Sequence, residues 1–320
     1  MKNIANIMLI TGTILLVQCQ RQSDKQIRDG ELTGTIALSG AWALYPMAVK
    51  WAEEFEKLHP HVRIDVAAGG AGKGMADALA GVADIGNVSR DIYPQEISQG
   101  AWWVSVTKDA VVPTVNADNP YLPQLLQQGV DRETLRYIWI IGLTTSWSSV
   151  IDQQVPGQIH VYTRSDACGA AKTWAKYLGE NQEDLLGVGV YGDPGLAEAV
   201  RQDRFAIGYN NINYAYDAQS KAQVAGIRVL PLDQNNDARL DSTEDFYHNR
   251  DEIVQAIAQG AYPSPPARDL YFVCRGKPGK RVVREFIRWV LTDGQKYVPE
   301  SGYIQLPLDT LNAQLKRLEE

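Results

Sequence analysis

Cysteine, histidine and long apolar runs are scarce in this chain, and each scarcity excludes something. Three cysteines (Cys19, Cys168 and Cys274) in 320 residues are too few for a disulfide scaffold. The four histidines (His59, His61, His160 and His248) fall at no HExxH or zinc-ligand spacing, and no Gly-x-Ser-x-Gly elbow occurs, so the common hydrolase signatures are missing. Basic residues are outnumbered, 31 Lys and Arg against 38 Asp and Glu, which argues against a nucleic-acid binder. A small anionic ligand stays open, because a local cluster of donors can oppose the global sign. What is present is ordinary for a globular chain, 45% hydrophobic and 22% charged. At ~100–200 residues per domain, the length suggests two domains or one large one.

The N-terminus reads as an address. Lys2 precedes a short apolar run from Ile4 to Val17, shorter than the ~20 apolar residues of a spanning helix. The run ends at Leu16-Val17-Gln18-Cys19, which resembles a bacterial lipobox, with Gln18 where a small residue is usual. Residues 1–19 are expected to be a lipoprotein-type signal, 20–30 a polar tether, and Cys19 the lipidation site. The exported body would then face the periplasm or cell exterior and meet the membrane only through its anchor. The alternative is an uncleaved anchor or an ordinary secretory peptide.

Beyond residue 31, strand and helix patterns alternate. Thr35–Ser39 and Val62–Val66 read as strands, with a helix from Pro46 to Leu58 between them carrying Met47, Trp51, Phe55 and Leu58 on one face. A glycine-rich turn, 69–74, leads into a helix over Met75–Leu79, then a strand over Ala83–Val88. Val104–Val115 is a long apolar strand with Lys108-Asp109 inside it. Further strands are expected at Ile159–Tyr162, Ala206–Tyr209 and Leu270–Cys274, with helices at Leu122–Gln128, Asp131–Trp139, Ala170–Leu178, Gly195–Arg201 and Val282–Leu291. The class is α/β.

Three turns share one pattern: strand, small or glycine-rich turn, helix. They are Ser39–Leu44, Gly69–Gly74 and Asp166–Ala170. A helix start leaves about four backbone amides unpaired and carries roughly half a positive charge, so it suits an anion. Arg90, Arg164 and Lys73 stand nearby. Spacing alone leaves the bland alternative of three ordinary turns, with Lys73 a solvated lysine. The glycine turn fits neither the Walker A nor the dinucleotide fingerprint.

These residues, taken in order, resemble a family: Ser39-Gly40 to Tyr45-Pro46, Gly69 to Gly72, Asp84-Ile85-Gly86 with Ser89-Arg90, Arg164-Ser165-Asp166, Ala206 to Tyr209, and the tail from Phe286 to Pro307. They are similar to the phosphate-binding periplasmic receptors of ABC importers, the PstS-like group. The resemblance implies a type II periplasmic binding protein fold: two α/β lobes with mixed sheets, joined by two crossing strands. Lobe one would hold 31–112 and 268–320, and lobe two 113–267. It implies phosphate bound between the lobes by Ala43, Leu44, Gly70, Ala71, Gly72, Ser89, Arg90, Arg164, Asp166, Cys168, Gly169 and Ala170, and delivery to a permease and ATPase, with no catalysis and no required cofactor. Asp166 is expected to fix Arg164, and Asp84 to be structural. The departures are consistent: Leu44, Ala71, Cys168 and Ala170 stand where hydroxyls are typical, and Ser89 near where an Asp accepts the phosphate proton. Sulfate, molybdate or tungstate is therefore an alternative ligand, and a non-transport sensor or adhesin an alternative role.

A second pattern lies at 233–244. Asp233, Asn235, Asp237, Arg239, Asp241 and Glu244 occupy positions 1, 3, 5, 7, 9 and 12 of a loop resembling an EF-hand, with apolar Leu240 at position 8 and Ala238 where glycine is usual. A structural calcium is the expectation, and an acidic surface loop the alternative. An enzyme would rest on Cys168, whose place at a helix start lowers a thiol pKa, with His160 near it in sequence. Cys168 and Cys274 are left open as a disulfide pair.

Overall fold

The structure, a computed structural model, describes residues 31–320; the signal, the tether and Cys19 lie outside the described residues. The strands are β1 (Gly34–Gly40), β2 (Val62–Ala68), β3 (Ile85–Val88), β4 (Ala101–Asn116), β5 (Val130–Asp131), β6 (His160–Arg164), β7 (Val188–Val190), β8 (Ala206–Asn211), β9 (Ile227–Val229), β10 (Leu232–Asp233) and β11 (Ala267–Arg275). The helices are α1 (Tyr45–Leu58), α2 (Ala71–Ala80), α3 (Pro94–Ser98), α4 (Leu122–Gln128), α5 (Arg132–Arg136), α6 (Trp147–Ile151), α7 (Gly169–Leu178), α8 (Gly192–Gln202), α9 (Ile212–Ala215), α10 (Arg250–Gln259), α11 (Arg281–Leu291), α12 (Tyr297–Glu300) and α13 (Leu308–Glu319).

One mixed sheet runs β2-β1-β3-β11-β4-β8-β6-β7, with β9 also paired to β4. Its two flanks are parallel, β1 with β2 and β3, and β6 with β7 and β8. The middle is antiparallel, where β4 meets β11 and then β8. Two strands therefore cross between two hydrophobic cores. Val104 and Val106 of β4 belong to the core built on Trp51, Phe55, Phe272 and Phe286, while Ala110 to Val115 belong to the core built on Trp139, Trp174 and Tyr209. Strand β11 makes the same passage from Ala267 to Leu270. This is the two-lobe, type II arrangement.

Local sequence explains the elements. In α1, Met47, Trp51 and Phe55 recur every fourth residue and are all buried, and Pro46 sits in the first turn, where its missing amide costs nothing. In α11, Val282, Val283, Phe286, Ile287 and Val290 form the buried stripe. A full-length burial of such a side chain contributes roughly 1.5–3 kcal/mol.

Some elements differ from the sequence reading. Helix α2 starts at Ala71, four residues earlier than expected, so four of the six residues of the glycine turn are helix. Its glycines serve packing: a Cβ on Gly74 would lie 2.4 Å from the Asn87 carbonyl oxygen and 2.8 Å from that of Ser39. Helix α2 can lie this close on β1 and β3 only without that side chain. Helix α5 ends at Arg136 and continues as a π-helical turn, Tyr137–Ile141. Helices α10 and α13 were not anticipated; α13 buries only Leu311 and Leu318, a weak periodic signal.

Candidate functional site

The sheet delivers two helix N-termini toward each other. Strand β1 ends at Gly40 and α2 begins at Ala71 in one lobe; β6 ends at Arg164 and α7 begins at Gly169 in the other. As first-turn residues, Ala71, Gly169 and Ala170 have amides without intrahelical partners. The two lobes touch here. Gly72 donates its amide to the Ala167 carbonyl at 3.0 Å. A Cβ on Gly169 would lie 2.1 Å from Ser89 Oγ, and one on Gly70 2.9 Å from Asp166 Oδ2. Trp42 packs edge-on against Tyr191, Tyr214 donates to the Trp42 carbonyl at 3.2 Å, and Lys176 pairs with Asp91 at 2.6 Å. Tyr303 donates to the Ala43 carbonyl at 2.7 Å, and Leu44 is fully buried. The glycine-turn residue Gly72 thus uses the amide that sequence reasoning assigned to an anion.

Arg164 is the centre of charge. Its side chain is 0% exposed, donating from Nε to Asp166 Oδ1 and from one Nη to Asp166 Oδ2, both at 2.7 Å, and from the other Nη to Asp193 Oδ2 at 2.5 Å. Asp166 orients Arg164, as expected, and three of five guanidinium donors are used, leaving two. Burial alone would make Arg164 easier to deprotonate, but Asp193 and the neighbouring groups hold its pKa above the usual arginine range. The Tyr209 hydroxyl fixes the strand beneath it, accepting from the Arg164 amide at 3.2 Å.

Arg90 stands differently. Glu96 grips it with two bonds, 2.9 and 2.6 Å, and its guanidinium covers the Tyr93 ring at 4.2 Å. It borders a cavity of about 240 Å³ shared with Tyr93, Lys172, Lys176, Arg268 and Asp269. Lys73 is turned onto its own helix, against Asp77, and donates to Ser39 Oγ at 3.0 Å. Asp84 is structural, holding the Ala37 amide at 3.1 Å and Lys280 at 2.7 Å.

Sequence reasoning missed four buried polar residues here. Arg268 of β11 donates to the Gly169 carbonyl at 3.1 Å and also bonds Asn211. Asp109, its cross-strand partner on β4, lies 3.6 Å from it. Neither oxygen of Asp109 has a hydrogen bond of normal geometry, and burial pushes its carboxyl up to about 7 in spite of Arg268. Asp193, at the start of α8, accepts from Asn211 Nδ2 at 2.6 Å as well as from Arg164. The available signal was Asp109, a carboxylate inside a long apolar strand.

The thiol expectation is corrected. Cys168 caps α7, its Sγ accepting from the Ala171 amide at 3.4 Å, but burial pushes the thiol up to about 12, against the pull of Arg164. It is a packed thiol rather than an activated one. Cys168 and Cys274 are both free and sit in different cores, so they do not pair. His160 is half-exposed and pairs with Asp203 at 2.7 Å.

A family profile described as a PBP superfamily domain matches residues 28–294. The phosphate-binding protein PstS of Methanocaldococcus jannaschii is 26% identical, covering 96% of this chain and 92% of its own. PstS of Pseudomonas aeruginosa is 25% identical, covering 90% and 88%. Among solved structures, a putative phosphate ABC transporter substrate-binding protein with bound phosphate from Clostridium perfringens superposes with a TM-score of 0.70 at 20% identity, over 86% of this chain and all of the other. An ABC-type phosphate transport receptor from Vibrio cholerae gives 0.61 at 21%, over 85% and 100%. With the profile spanning both cores and both helix N-termini, the chain belongs to the PBP superfamily.

Proposed function

We propose that this chain is an extracytoplasmic receptor that binds phosphate between its lobes and delivers it to the permease and ATPase of an ABC importer. The observation that carries the reading is the meeting of the α2 and α7 N-termini, from opposite lobes, beside a buried Arg164 that keeps two donors free. Helix-start amides and a guanidinium are the donors a tetrahedral oxyanion needs. The ligand site comprises Ala43, Leu44, Gly70, Ala71, Ser89, Arg90, Arg164, Asp166 and Cys168–Ala170, extended here by Arg268, while Gly72 joins the lobes through the Ala167 carbonyl. Lobe one is 31–112 with 268–320 and lobe two 113–267; a change of core between Val106 and Ala110 on β4 and between Ala267 and Leu270 on β11 supports two lobes, with Ala110–Val112 packing in the core of lobe two. Binding shifts the lobes toward the closed arrangement, which the ligand prefers because only there do both sets of donors reach it. No step of this reading needs catalysis, a cofactor or nucleic acid. Attachment is by a lipid on Cys19.

A second ligand follows from one observation. Leu44, Ala71, Cys168 and Ala170 bring no hydroxyl to the site, and each neutral hydrogen bond so lost costs ~0.5–1.5 kcal/mol. Sulfate, molybdate or tungstate, which need no proton acceptor, are the competitors. Trp42, pressed between the lobes, reports on closure: its fluorescence should change saturably with phosphate. A signal unmoved by every oxyanion, with Arg164→Ala indistinguishable from wild type, contradicts the reading.

A further inference from the structure

Away from the cleft, we infer that the loop 233–244 is a binding site for a hard divalent cation of calcium's size. The loop is built into lobe two. Asp233 closes β10, which pairs with β5, and the Leu240 amide donates to the Gln127 carbonyl at 2.9 Å. Asp233 accepts from the amides of Asp237 (3.3 Å) and Ala238 (2.9 Å), Asn235 from Asp237 (3.0 Å), Asp237 from Arg239 (3.0 Å), and Asp241 from Thr243 (2.7 Å). Asn236 and Ala238 both take left-handed backbone, φ 60° and 55°. The missing glycine has not prevented the sharp turn; Ala238 makes it under strain.

The loop's shape alone would not identify a ligand. Glu244 does. It is 3% exposed, and its Oε1 accepts from the amides of Gln234 (2.7 Å) and Asn235 (3.2 Å), which aims the carboxylate into the loop. Its Oε2 is buried with no hydrogen-bond partner. Asp233, 5% exposed, is its buried neighbour, and no salt bridge reaches either carboxylate among the described residues. A buried carboxylate oxygen without a partner is costly unless a cation meets it. Among the described residues no three His, Cys, Asp or Glu side chains are already gathered at metal distance. Asp233 and Glu244 are the two buried carboxylates of the loop, and binding must draw the exposed Asp237 and the half-buried Asp241 toward them. One oxygen each from Asp233, Asn235 and Asp237, the Arg239 carbonyl, both oxygens of Glu244 and a water held by Asp241 give the roughly six to eight oxygens calcium takes. The cation would clamp this loop to α4 and β5.

The test uses the full chain, treated with EDTA and dialysed. Calcium chloride should give a saturable one-site calorimetric isotherm and, at about 5 mM, raise the melting temperature by roughly 4 °C over EDTA, with magnesium giving less than half of that. Asp237→Asn, an exposed change, should weaken calcium at least about tenfold and leave the melting temperature in EDTA unchanged; Glu244→Gln should abolish binding; Asp245→Asn, outside the loop, should keep it. Absence of calcium heat with equal melting temperatures in calcium and EDTA overturns the site. So does Asp237→Asn with wild-type affinity, a readout that stands even where Glu244→Gln fails to fold.

Discussion

The buried Asp109 makes a pH prediction whose size follows from its surroundings. Its carboxyl sits at about 7 in the folded chain against 3.8 for an ordinary Asp, burial outweighing the attraction of Arg268 at 3.6 Å. A carboxyl whose folded pKa is raised holds its proton more tightly in the native state. Its contribution is complete below pH 3.8 and is lost as pH rises toward 7, because over that window the folded state carries a proton that the unfolded state has released. At 1.36 kcal/mol per pH unit, the loss reaches about 4 kcal/mol. Asp109→Asn reproduces the neutral form and removes this dependence. Urea unfolding of both proteins from pH 5 to 8 should give wild-type stability that falls more steeply than the variant's, by up to one proton's worth of slope, with the variant equal or better at pH 8. If Arg268 instead kept Asp109 ionised, the variant would strand a buried arginine and lose about 3–5 kcal/mol at pH 8. That result refutes the reasoning.

Other expectations follow from the same cluster. Arg164→Ala leaves Asp166 and Asp193 buried without their cation, and should cost about 3–5 kcal/mol in urea unfolding and more than tenfold in oxyanion affinity. Arg90→Ala should also weaken the oxyanion more than about tenfold, by calorimetry, with a smaller stability loss because Glu96 can turn to water. Gly169→Ala places a Cβ 2.1 Å from Ser89 Oγ and should hinder closure, lowering affinity with little change in unfolding free energy and a larger radius of gyration with ligand in solution scattering. Cys168 and Cys274, both buried with thiols near 12, should resist a disulfide reagent at pH 8 in the native protein and react on unfolding.

The fold was largely legible because its signals are periodic and long: the Met47-Trp51-Phe55 stripe, the alternation in Val62–Val66 and the apolar run of β4. What failed was local. Glycines 72 and 74 look like a loop in sequence but are helix, since their value is close approach, of Gly72 to Ala167 and of Gly74 to Asn87 and Ser39, which no local pattern encodes. At the site, Arg164 with Asp166 was readable because the partners are two residues apart. Asp193, Asn211, Arg268 and Asp109 were not, because they meet only through the crossing of β4 and β11 and the start of α8. Cys168 shows the same limit: its helix-start position argues for a reactive thiol, while burial, visible only in three dimensions, decides the opposite.

The central claim is an oxyanion held between the lobes. Its most direct test is calorimetry of the soluble chain from Gln20 onward, stripped of carried-over ligand, titrated in turn with phosphate, sulfate, molybdate and tungstate, and repeated with Arg164→Ala. The account predicts one-site phosphate binding that sulfate does not match and that Arg164→Ala weakens more than about tenfold. Silence toward all four anions, or phosphate binding indifferent to Arg164, would contradict it.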